Sequence, residues 1–413
     1  MIFRFLIFIS IWLLIDWYVF HAVKTAYVGS KSNYVFTLYW AFDLVLIAIL
    51  IVLGITGKFA GGPPKGGSYL MGLAILSLAP KLIASPFLLI EDIVRISHYI
   101  YLSVSKIVAK NSSEPFFMSD RRKFVSQLAL GLASIPFFGI IYGVWKGKYE
   151  YRVHRVKLVS PDLPEAFDGF TITQLSDIHS GSFDNVEAVL KGINLANAQK
   201  SDLIVFTGDL VNNVANEMND WIEHFKTLSA PFGKFSILGN HDYGDYVQWP
   251  NEAAKVQNFE QLKAVHQKIG FKLMLNENCS LEKNGQKIEL IGVENWGKRG
   301  FVKHGDLNKA LENVPSEAFK ILLSHDPSHW EAVTLHHPKH VHLTLAGHTH
   351  GMQFGIEIPG IKWSPVKYIY PQWAGLYKKG NHHIYVNRGF GFLGFPGRVG
   401  ILPEITVIEL KRG

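Results

Sequence analysis

Long apolar runs mark the first third of the chain. They cover residues 5–23, 35–55, 69–90 and 128–145. A helix needs about 20 apolar residues to cross a hydrocarbon layer about 30 Å thick, so each run predicts a membrane-spanning helix. A cleavable signal peptide has a single short apolar region and does not explain this pattern. The runs therefore predict an all-α membrane region of four helices.

Three ionisable residues interrupt these runs, namely Asp16, Asp43 and Lys81. Charged groups at membrane depth are costly unless they pair with one another or face a polar interior. Two interpretations fit the sequence equally well. The three residues form an internal polar contact or a pocket for a lipid headgroup, or their side chains extend toward the membrane interface.

Short apolar runs follow in the rest of the chain, at residues 203–206, 235–238, 321–323 and 343–346. Runs of this length fill strands of a sheet that is covered on both faces. Amphipathic patterns predict helices at residues 186–198 and 259–269, and residues 280–293 predict a hairpin turned at Asn284 and Gly285. This alternation of strands and helices predicts an α/β domain.

Five segments that carry histidine or aspartate occur in a fixed order, nearly all just after an apolar run. They are Ser176-Asp177-Ile178-His179, Gly208-Asp209, Gly239-Asn240-His241-Asp242, Ser324-His325-Asp326 and Gly347-His348-Thr349-His350. Ligand sites of α/β sheets assemble at the carboxyl ends of strands, so we expect one crevice to collect all five segments. Asp177 and His179 would point the same way if the strand stays extended there. A single segment of this kind is usually a turn, whereas the ordered set indicates a ligand site.

The residue types in these segments restrict the metal. Histidine nitrogens, carboxylates and one amide oxygen suit divalent Mn, Fe, Zn or Co, and the set contains no thiolate. Cys279 is the only cysteine, so the chain can form neither an internal disulfide nor a cysteine cluster. We expect Cys279 to be a small buried residue rather than a nucleophile.

The order of these segments resembles that of the calcineurin-like metallophosphoesterase superfamily over residues 168–410. The resemblance implies a four-layer αββα sandwich, in which two mixed β-sheets pack face to face between helices. It implies one metal ion held by Asp177, His179, Asp209 and His350, and a second held by Asp209, Asn240, His325 and His348. Asp209 would bridge the two ions. The second motif usually continues to an acidic residue, whereas this chain has Asn212 there.

The resemblance also implies the chemistry. Two cations about 3.5 to 4 Å apart lower the pKa of a bridging water and clamp two phosphoryl oxygens during in-line attack. His241 is expected beside the substrate phosphate, where it protonates the leaving alkoxide or stabilises phosphate charge. Asp242 is expected to orient a loop or a ligand histidine. Asp209 and His241 are therefore the predicted catalytic residues.

Two arginines near the end of the chain, Arg388 and Arg398, are candidates for contact with the substrate phosphate. A planar guanidinium donates two parallel hydrogen bonds to such a group, and the alternative is that both arginines are solvated. The end of the chain also resembles that of a membrane-associated bacterial subgroup of the superfamily. Further histidines are irregularly spaced and predict a surface loop rather than a third metal site. They are His329, His336, His337, His340 and His342.

Charge separates the two parts of the chain. Up to residue 157 there are 17 Lys and Arg against 7 Asp and Glu, and after it 24 against 27. The second part has no basic excess with which to neutralise a nucleic-acid backbone, so nucleic acid is not an expected partner. We expect a transmembrane region at residues 1–145, a basic juxtamembrane linker at 146–158 and the α/β domain at 159–413.

Two signals bear on the side of the membrane. Residues 119–125, with Arg121 and Arg122, resemble a twin-arginine export signal placed before an apolar run. Basic residues just after the fourth run favour the opposite orientation. They are Lys146, Lys148, Arg152, Arg155 and Lys157. We expect the α/β domain on the outer side of a bacterial cytoplasmic membrane.

The sequence thus predicts an integral membrane phosphoesterase with two divalent metal ions. Its substrate would be a phosphorylated small molecule or lipid with a phosphodiester, phosphomonoester or pyrophosphate bond. One alternative is a pyrophosphatase of the UDP-2,3-diacylglucosamine type that serves lipid A synthesis. The other is a membrane sensor or scaffold that binds metal without turnover, and hydrolysis of a simple aryl phosphodiester would separate it from an enzyme.

Overall fold

The computed structural model describes residues 2–27, 31–55, 67–109, 119–298 and 300–413. These residues form two compact units, Met1–Tyr142 and Gly143–Gly413. We call them the membrane unit and the catalytic unit and describe each by itself.

Four long helices build the membrane unit. They are α1 (Ile2–Ala26), α2 (Ser32–Ile55), α3 (Gly67–Ala109) and α4 (Ser119–Trp145). Each contains a segment long and apolar enough to cross a membrane, which agrees with the four predicted spans. The third helix is longer than expected. Its 43 residues measure about 65 Å at 1.5 Å per residue, roughly twice the thickness of the hydrocarbon layer.

The three ionisable residues at membrane depth form one internal cluster. Asp16, Asp43 and Lys81 are 0%, 1% and 8% exposed. The Lys81 ammonium donates hydrogen bonds to Asp16 Oδ1 at 2.6 Å, to Asp43 Oδ2, and to Ser77 Oγ at 2.9 Å. The interpretation as an internal polar contact is confirmed. The alternative, in which these side chains extend toward the membrane interface, is wrong because Lys81 is buried and its ammonium hydrogen-bonds to both carboxylates.

In the described part of the catalytic unit there are fourteen strands and five short or medium α-helices. The strands are β1 (Arg152–Ser160), β2 (Thr171–Leu175), β3 (Leu203–Phe206), β4 (Lys234–Ser236), β5 (Lys272–Leu273), β6 (Glu277–Lys283), β7 (Gln286–Gly292), β8 (Lys320–Leu323), β9 (Leu343–Ala346), β10 (Ile356–Ile358), β11 (Ile361–Trp363), β12 (Gly375–Lys379), β13 (His382–Val386) and β14 (Glu404–Arg412). The helices are α5 (Val186–Asn197), α6 (Ile222–Phe225), α7 (Glu252–Lys268), α8 (Leu307–Ala310) and α9 (Ser328–Ala332).

Twelve of the strands form two mixed sheets of six. The order is β1-β14-β2-β3-β4-β5 in the first sheet and β12-β13-β9-β8-β7-β6 in the second. One core cluster combines apolar side chains of both sheets, such as Ile172 and Val205 from the first with Leu290 and Leu323 from the second. Since apolar side chains of both inner faces share this core, the sheets pack face to face.

Helices cover the outer faces of both sheets. On the first sheet, Val189 of α5 and Leu262 of α7 share a cluster with Phe206 of β3. On the second, Leu307 of α8 packs in a cluster with Leu322 of β8. The predicted four-layer αββα sandwich is confirmed. The predicted hairpin is also present, because β6 and β7 are joined by Asn284 and Gly285 with φ of 51° and 77°, as a two-residue turn of this kind requires.

Residues 152–160 include the second half of the predicted linker at residues 146–158. They form β1, which pairs in parallel with the last strand β14 from Arg152 opposite Glu404 to Ser160 opposite Arg412. The charged residues suggested a solvated linker, but Arg152, Arg155 and Lys157 are exposed residues of an edge strand whose Leu158 is buried. An edge strand tolerates charge on its outer face, which explains why composition alone misplaced it.

Candidate metal centre

The five predicted segments follow neighbouring strands of the sandwich. β2, β3 and β4 lie side by side in the first sheet, and β8 and β9 lie side by side in the second. Each segment begins within a few residues of the end of its strand. Parallel strands collect their carboxyl ends at one edge, so the face-to-face packing of the sheets brings all five segments together.

The backbone turns sharply where these side chains leave the strands. The left-handed region is occupied by Asp177, His179, Asp209, His348 and His350, with φ between 48° and 70°. Such values are uncommon for residues other than glycine and store strain at functional sites. The expectation that Asp177 and His179 share a face of an extended strand is therefore wrong. They converge because both residues adopt turns after β2 ends at Leu175.

Two groups of possible metal ligands result. The first contains Asp177, His179 and His350, and the second contains Asp209, His325 and His348; within each group the ligand atoms lie within 4.8 Å of one another. In the first group, His179 Nε2 is 3.0 Å from His350 Nε2, which is 3.2 Å from Asp177 Oδ1. In the second group, Asn240 joins His348, whose Nδ1 is 2.9 Å from Asn240 Oδ1.

Asp209 lies between the two groups. Its Oδ2 atom is 3.5 Å from His179 Nε2 of the first group and 3.1 Å from His325 Nε2 of the second. Its Oδ1 atom accepts the backbone N–H of His241 at 2.9 Å. One carboxylate oxygen therefore faces both groups while the other fixes the orientation of the side chain.

The donor set fits cations rather than a set of mutual hydrogen bonds. His179 Nδ1–H donates to the carbonyl of Val211 at 3.2 Å, and His325 Nδ1–H donates to that of Thr207 at 2.7 Å. Both Nε2 atoms are then left with lone pairs directed at other acceptors. Among the described residues, the buried His325 Nε2 has no hydrogen-bond partner. Such orphaned acceptors around buried carboxylates are the pattern that a divalent ion satisfies.

The electrostatics point the same way. Burial opposes ionisation of Asp177 and Asp209, but the neighbouring imidazoles outweigh it, so the pKa of each carboxyl lies below its usual range. Burial lowers the pKa of His179 and His348. At His325, burial is outweighed by the Asp209 carboxylate, which raises the pKa to about 10. The centre thus keeps the carboxylates ionised and favours positive charge beside Asp209, which a bound cation would supply in place of the second proton on His325.

His241 lies at the edge of this centre. It is half-buried, and its ring is 5.0 Å from the His179 ring and 4.5 Å from the ring of Tyr246. Its Nδ1–H donates to the carbonyl of Asn212 at 2.7 Å. This bond fixes the orientation of the imidazole.

Sequence reasoning missed the residue that supports Asn212. The second motif lacks its usual acid there, but the Glu217 carboxylate accepts the backbone N–H of Asn212 at 2.6 Å and of Asn213 at 3.2 Å. It thereby holds the carbonyl that receives His241. An acidic residue five positions after Asn212 was the only available signal.

Asp242 orients a loop, as expected. Its carboxylate accepts the backbone N–H groups of Gly239 at 2.8 Å, Asp209 at 2.9 Å and Leu210 at 2.8 Å. These bonds fix the segment after β3 to the segment after β4. The two segments approach so closely that a Cβ added at Gly239 would overlap the Asp209 carboxylate.

Arg388 and Arg398, the candidates for contact with the substrate phosphate, both have partners within the protein. Both are buried. Arg388 forms ion pairs with Glu357 at 2.5 Å and with Glu404 at 2.6 Å. Arg398 donates to the carbonyl of Gly391 at 2.8 and 2.5 Å and lies 3.2 Å from His350 Nδ1. Both guanidinium groups thus bind groups of the protein itself: Arg388 connects distant segments, and Arg398 lies beside His350.

Within the described residues, the other histidines and the cysteine belong to neither ligand group. His336 is exposed, but His329 and His342 are buried, so the prediction of a surface loop is wrong for these two. His329 Nδ1 contacts Ser324 Oγ at 2.9 Å, and burial lowers its pKa to about 4. In the described part of the chain, neither joins a metal-type group. Cys279 is half-buried rather than buried, and burial raises the pKa of its thiol.

Comparison with known proteins agrees with this geometry. A family model described as calcineurin-like phosphoesterase matches residues 170–352. A second, described as a probable calcineurin-like phosphoesterase transmembrane domain, matches residues 3–148. An uncharacterized metallophosphoesterase, YkuE of Bacillus subtilis, is 35% identical over 266 residues, which are 63% of this chain and 85% of that protein. The chain belongs to the calcineurin-like phosphoesterase family.

Other relatives come from animals and bacteria. A transmembrane protein with metallophosphoesterase domain from Danio rerio is 28% identical over 66% of this chain and 60% of its own length. A phosphodiesterase, YaeI of Escherichia coli, is 27% identical over 71% of this chain and 100% of its own length. Family membership makes the protein a membrane-associated, metal-dependent phosphoester hydrolase.

Proposed function

We propose that the protein uses two divalent metal ions to hydrolyse a phosphate ester or pyrophosphate bond in a lipid-linked substrate. The observation that carries this proposal is the position of Asp209, whose Oδ2 atom faces His179 of one group and His325 of the other. A carboxylate shared by two ligand groups is what a paired-metal site requires. A site for a single metal ion would not require the second group of ligands.

The residues present define which side chains would hold each ion. One ion would be held by Asp177, His179, Asp209 and His350, and the other by Asp209, Asn240, His325 and His348. Nitrogen, carboxylate and amide donors suit Mn, Fe, Zn or Co. When bound, such ions supply Lewis-acid polarisation of phosphoryl oxygens and activation of water.

The remaining groups do the positioning and the proton transfer. Tyr246 accepts the Asn240 amide N–H at 2.8 Å, which turns Asn240 Oδ1 toward His348. His241 is fixed at Nδ1 by the Asn212 carbonyl, so its Nε2 holds the proton that the leaving alkoxide takes up. This role is compatible with its half-buried position, because a proton donor must be reached by solvent between turnovers.

The lipid-linked nature of the substrate and the location of the site are part of the proposal. Four membrane helices keep the catalytic unit next to lipid phosphates at all times. The Escherichia coli relative named a phosphodiesterase favours a diester. From the basic residues Arg121, Arg122 and Lys123, which precede the fourth apolar run, we place the catalytic unit on the outer side of a bacterial cytoplasmic membrane. An active alkaline phosphatase fused after Gly413 would support that side, and an inactive fusion would contradict it.

The experiment uses the full chain purified in detergent. It should hydrolyse bis(p-nitrophenyl) phosphate, lose that activity on chelation, and regain it with one of Mn, Fe, Zn or Co but not with Ca. Hydrolysis that persists after the protein has been shown free of metal would exclude the two-metal proposal. Metal binding without hydrolysis of diester, monoester or pyrophosphate would instead support a sensor or scaffold.

A further inference from the structure

The strands β10 and β11 form a hairpin of their own. In the described part of the chain, they pair with each other and with neither six-stranded sheet. Ile356 lies opposite Trp363, and Ile358 lies opposite Ile361. Because side chains alternate along a strand and directly paired residues share a face, these four apolar side chains lie on one face. Glu357 and its partner Lys362 lie on the other.

An ordinary surface strand exposes its polar face and buries its apolar face, whereas this hairpin exposes its apolar face. Ile356, Ile358 and Ile361 are 49%, 56% and 53% exposed. The charged face is the one directed at the protein, because the Glu357 carboxylate accepts two hydrogen bonds from the buried Arg388 at 2.9 and 2.5 Å. Single exposed isoleucines need no explanation, but three on one face of a short hairpin do.

A chain of ion pairs fixes the hairpin in this orientation. Arg388 follows β13 and also pairs with Glu404, the first residue of β14, at 2.6 Å. Glu357, Arg388 and Glu404 thus connect the hairpin to both sheets of the sandwich. Turning the isoleucines inward would break a buried ion pair, which costs more than exposing them. The ion pairs among Glu357, Arg388 and Glu404 therefore keep the apolar face directed outward.

The surroundings have the chemistry of a membrane interface. Tyr368 is 73% exposed and Ile369 is 38% exposed shortly after the hairpin, and the Lys367 ammonium lies 5.2 Å over the Tyr368 ring. Aromatic residues, lysine and isoleucine together are typical of segments that lie at a lipid headgroup layer. No such combination is needed on a surface that only meets water.

The hairpin is also close to the metal centre. Ser364, directly after β11, donates its hydroxyl to the carbonyl of Gly351 at 2.8 Å. Gly351 follows His350 of the first ligand group, and the next residue, Met352, is 47% exposed. A molecule or surface that docks on the hairpin would therefore lie beside the candidate metal ligand His350.

We propose that the apolar face of the β10–β11 hairpin docks on the bilayer surface and so presents lipid-linked phosphate esters to the metal centre. The proposal rests on the proposed function and adds the surface through which its lipid-linked substrate is reached. The bilayer is the occupant because the four membrane helices hold the catalytic unit within reach of it, at a high effective concentration. An amphiphilic substrate then keeps its acyl chains in lipid while its phosphate reaches the site.

The first test measures docking directly. A polarity-sensitive fluorophore is placed at Ile358→Cys in a Cys279→Ala background, with Asn381→Cys, in the exposed turn after β12, as the matched control. The full chain is reconstituted in vesicles of phosphatidylcholine and phosphatidylglycerol, with and without chain-brominated phosphatidylcholine. Docking predicts a blue-shifted emission and bromine quenching at position 358 but not at 381. Equal, water-like emission at both positions would overturn the proposal.

The second test measures its consequence. The double variant Ile358→Glu with Ile361→Glu should lose hydrolysis of a phosphatidyl ester in vesicles but retain hydrolysis of soluble bis(p-nitrophenyl) phosphate. Val256→Glu on α7, where Val256 is 51% exposed, is the matched control and should retain both. Equal loss on both substrates, or loss on neither, would contradict docking. Absence of soluble activity in the unaltered protein would refute the proposed function instead, while the fluorophore still reports on docking.

Discussion

Each unit of the molecule contains a cluster of buried charged residues, and the two clusters are neutralised differently. In the membrane unit, the Lys81 ammonium donates to Asp16, Asp43 and Ser77. In the catalytic unit, Asp177 and Asp209 are equally buried, but in the described part of the chain no ammonium or guanidinium hydrogen-bonds to either. Imidazoles surround them instead, with Nε2 atoms of His179 and His325 directed inward.

The difference lies in what the neighbours provide. An ammonium brings three N–H donors and a fixed charge, so the membrane cluster is complete within the protein. Imidazoles whose Nδ1–H groups are used by backbone carbonyls bring lone pairs, so the catalytic cluster needs cations from outside. A buried aspartate alone thus does not show whether a cluster is a structural contact or a metal site. The neighbouring side chains decide between the two.

The largest expected effect comes from breaking the catalytic cluster at Asp209. Asp209→Asn keeps the size of the side chain but removes the charge that both ligand groups face. Metal ions supply several kcal/mol of transition-state stabilisation, so activity on a soluble diester should fall by about 10³-fold or more. Metal content, measured by mass spectrometry on the purified full chain, should fall at both sites.

Asp220→Asn is the matched control because Asp220 is exposed in the same unit. It should keep both metal content and activity. Two ions per chain in the Asp209→Asn protein would contradict the bridging role of Asp209.

The membrane cluster can be broken at its only cation. Lys81→Met leaves two buried carboxylates facing each other, and removal of one partner of a buried ion pair costs about 3–5 kcal/mol. The unfolding temperature of the full chain in detergent should therefore fall strongly. Asp16→Asn should cost less, because Lys81 stays paired with Asp43. Lys123→Met, at an exposed lysine of α4, is the control, and a Lys81→Met protein as stable as this control would rule out a bracing role.

His241 sharpens the comparison, because it borders the catalytic cluster without belonging to either ligand group. His241→Ala should keep both metal ions but reduce turnover by at least about 100-fold. The loss should be smaller for nitrophenyl esters than for alkyl esters, since a good leaving group needs no proton. His336→Ala, at an exposed histidine, should change neither. Equal losses for both ester types would assign His241 to the phosphate rather than to the leaving group.

The two clusters also show how far sequence reasoning reaches. The strand ends were predictable, because apolar runs such as residues 203–206 and 343–346 carry a strong local signal and the motifs follow them directly. The left-handed turns at Asp177 and His179 were not, because a strained backbone is imposed by tertiary contacts and has no local pattern. The sequence left two interpretations of Lys81 open, because it indicates the depth of a residue in the membrane but not which side chains it pairs with.

Arg388 shows that long-range ion pairs also cannot be predicted from local sequence. Its partners Glu357 and Glu404 are 31 and 16 residues away in sequence, and nothing local marks them. A guanidinium near a predicted phosphate site was a reasonable candidate, but long-range ion pairs use its donors. The strand β1 was missed for a related reason, because its pairing with β14 joins distant parts of the chain.

The smallest expected effect concerns Arg398, which contacts the catalytic cluster at His350. Its Nε and Nη2 donate to the carbonyl of Gly391, and Nη2 lies 3.2 Å from His350 Nδ1. Arg398→Lys keeps the charge but loses the planar fork, so one ammonium cannot hold both the loop and the imidazole. Groups that orient metal ligands typically change affinity by 10- to 100-fold, and we expect about tenfold for the first ion and no change for the second. Titration of metal into the stripped full chain resolves the two affinities, with Arg412→Lys at the exposed end of β14 as the control. Unchanged affinity for both ions would show that Arg398 only stabilises the glycine-rich loop. The other ligands of the first ion would then be sufficient to position His350.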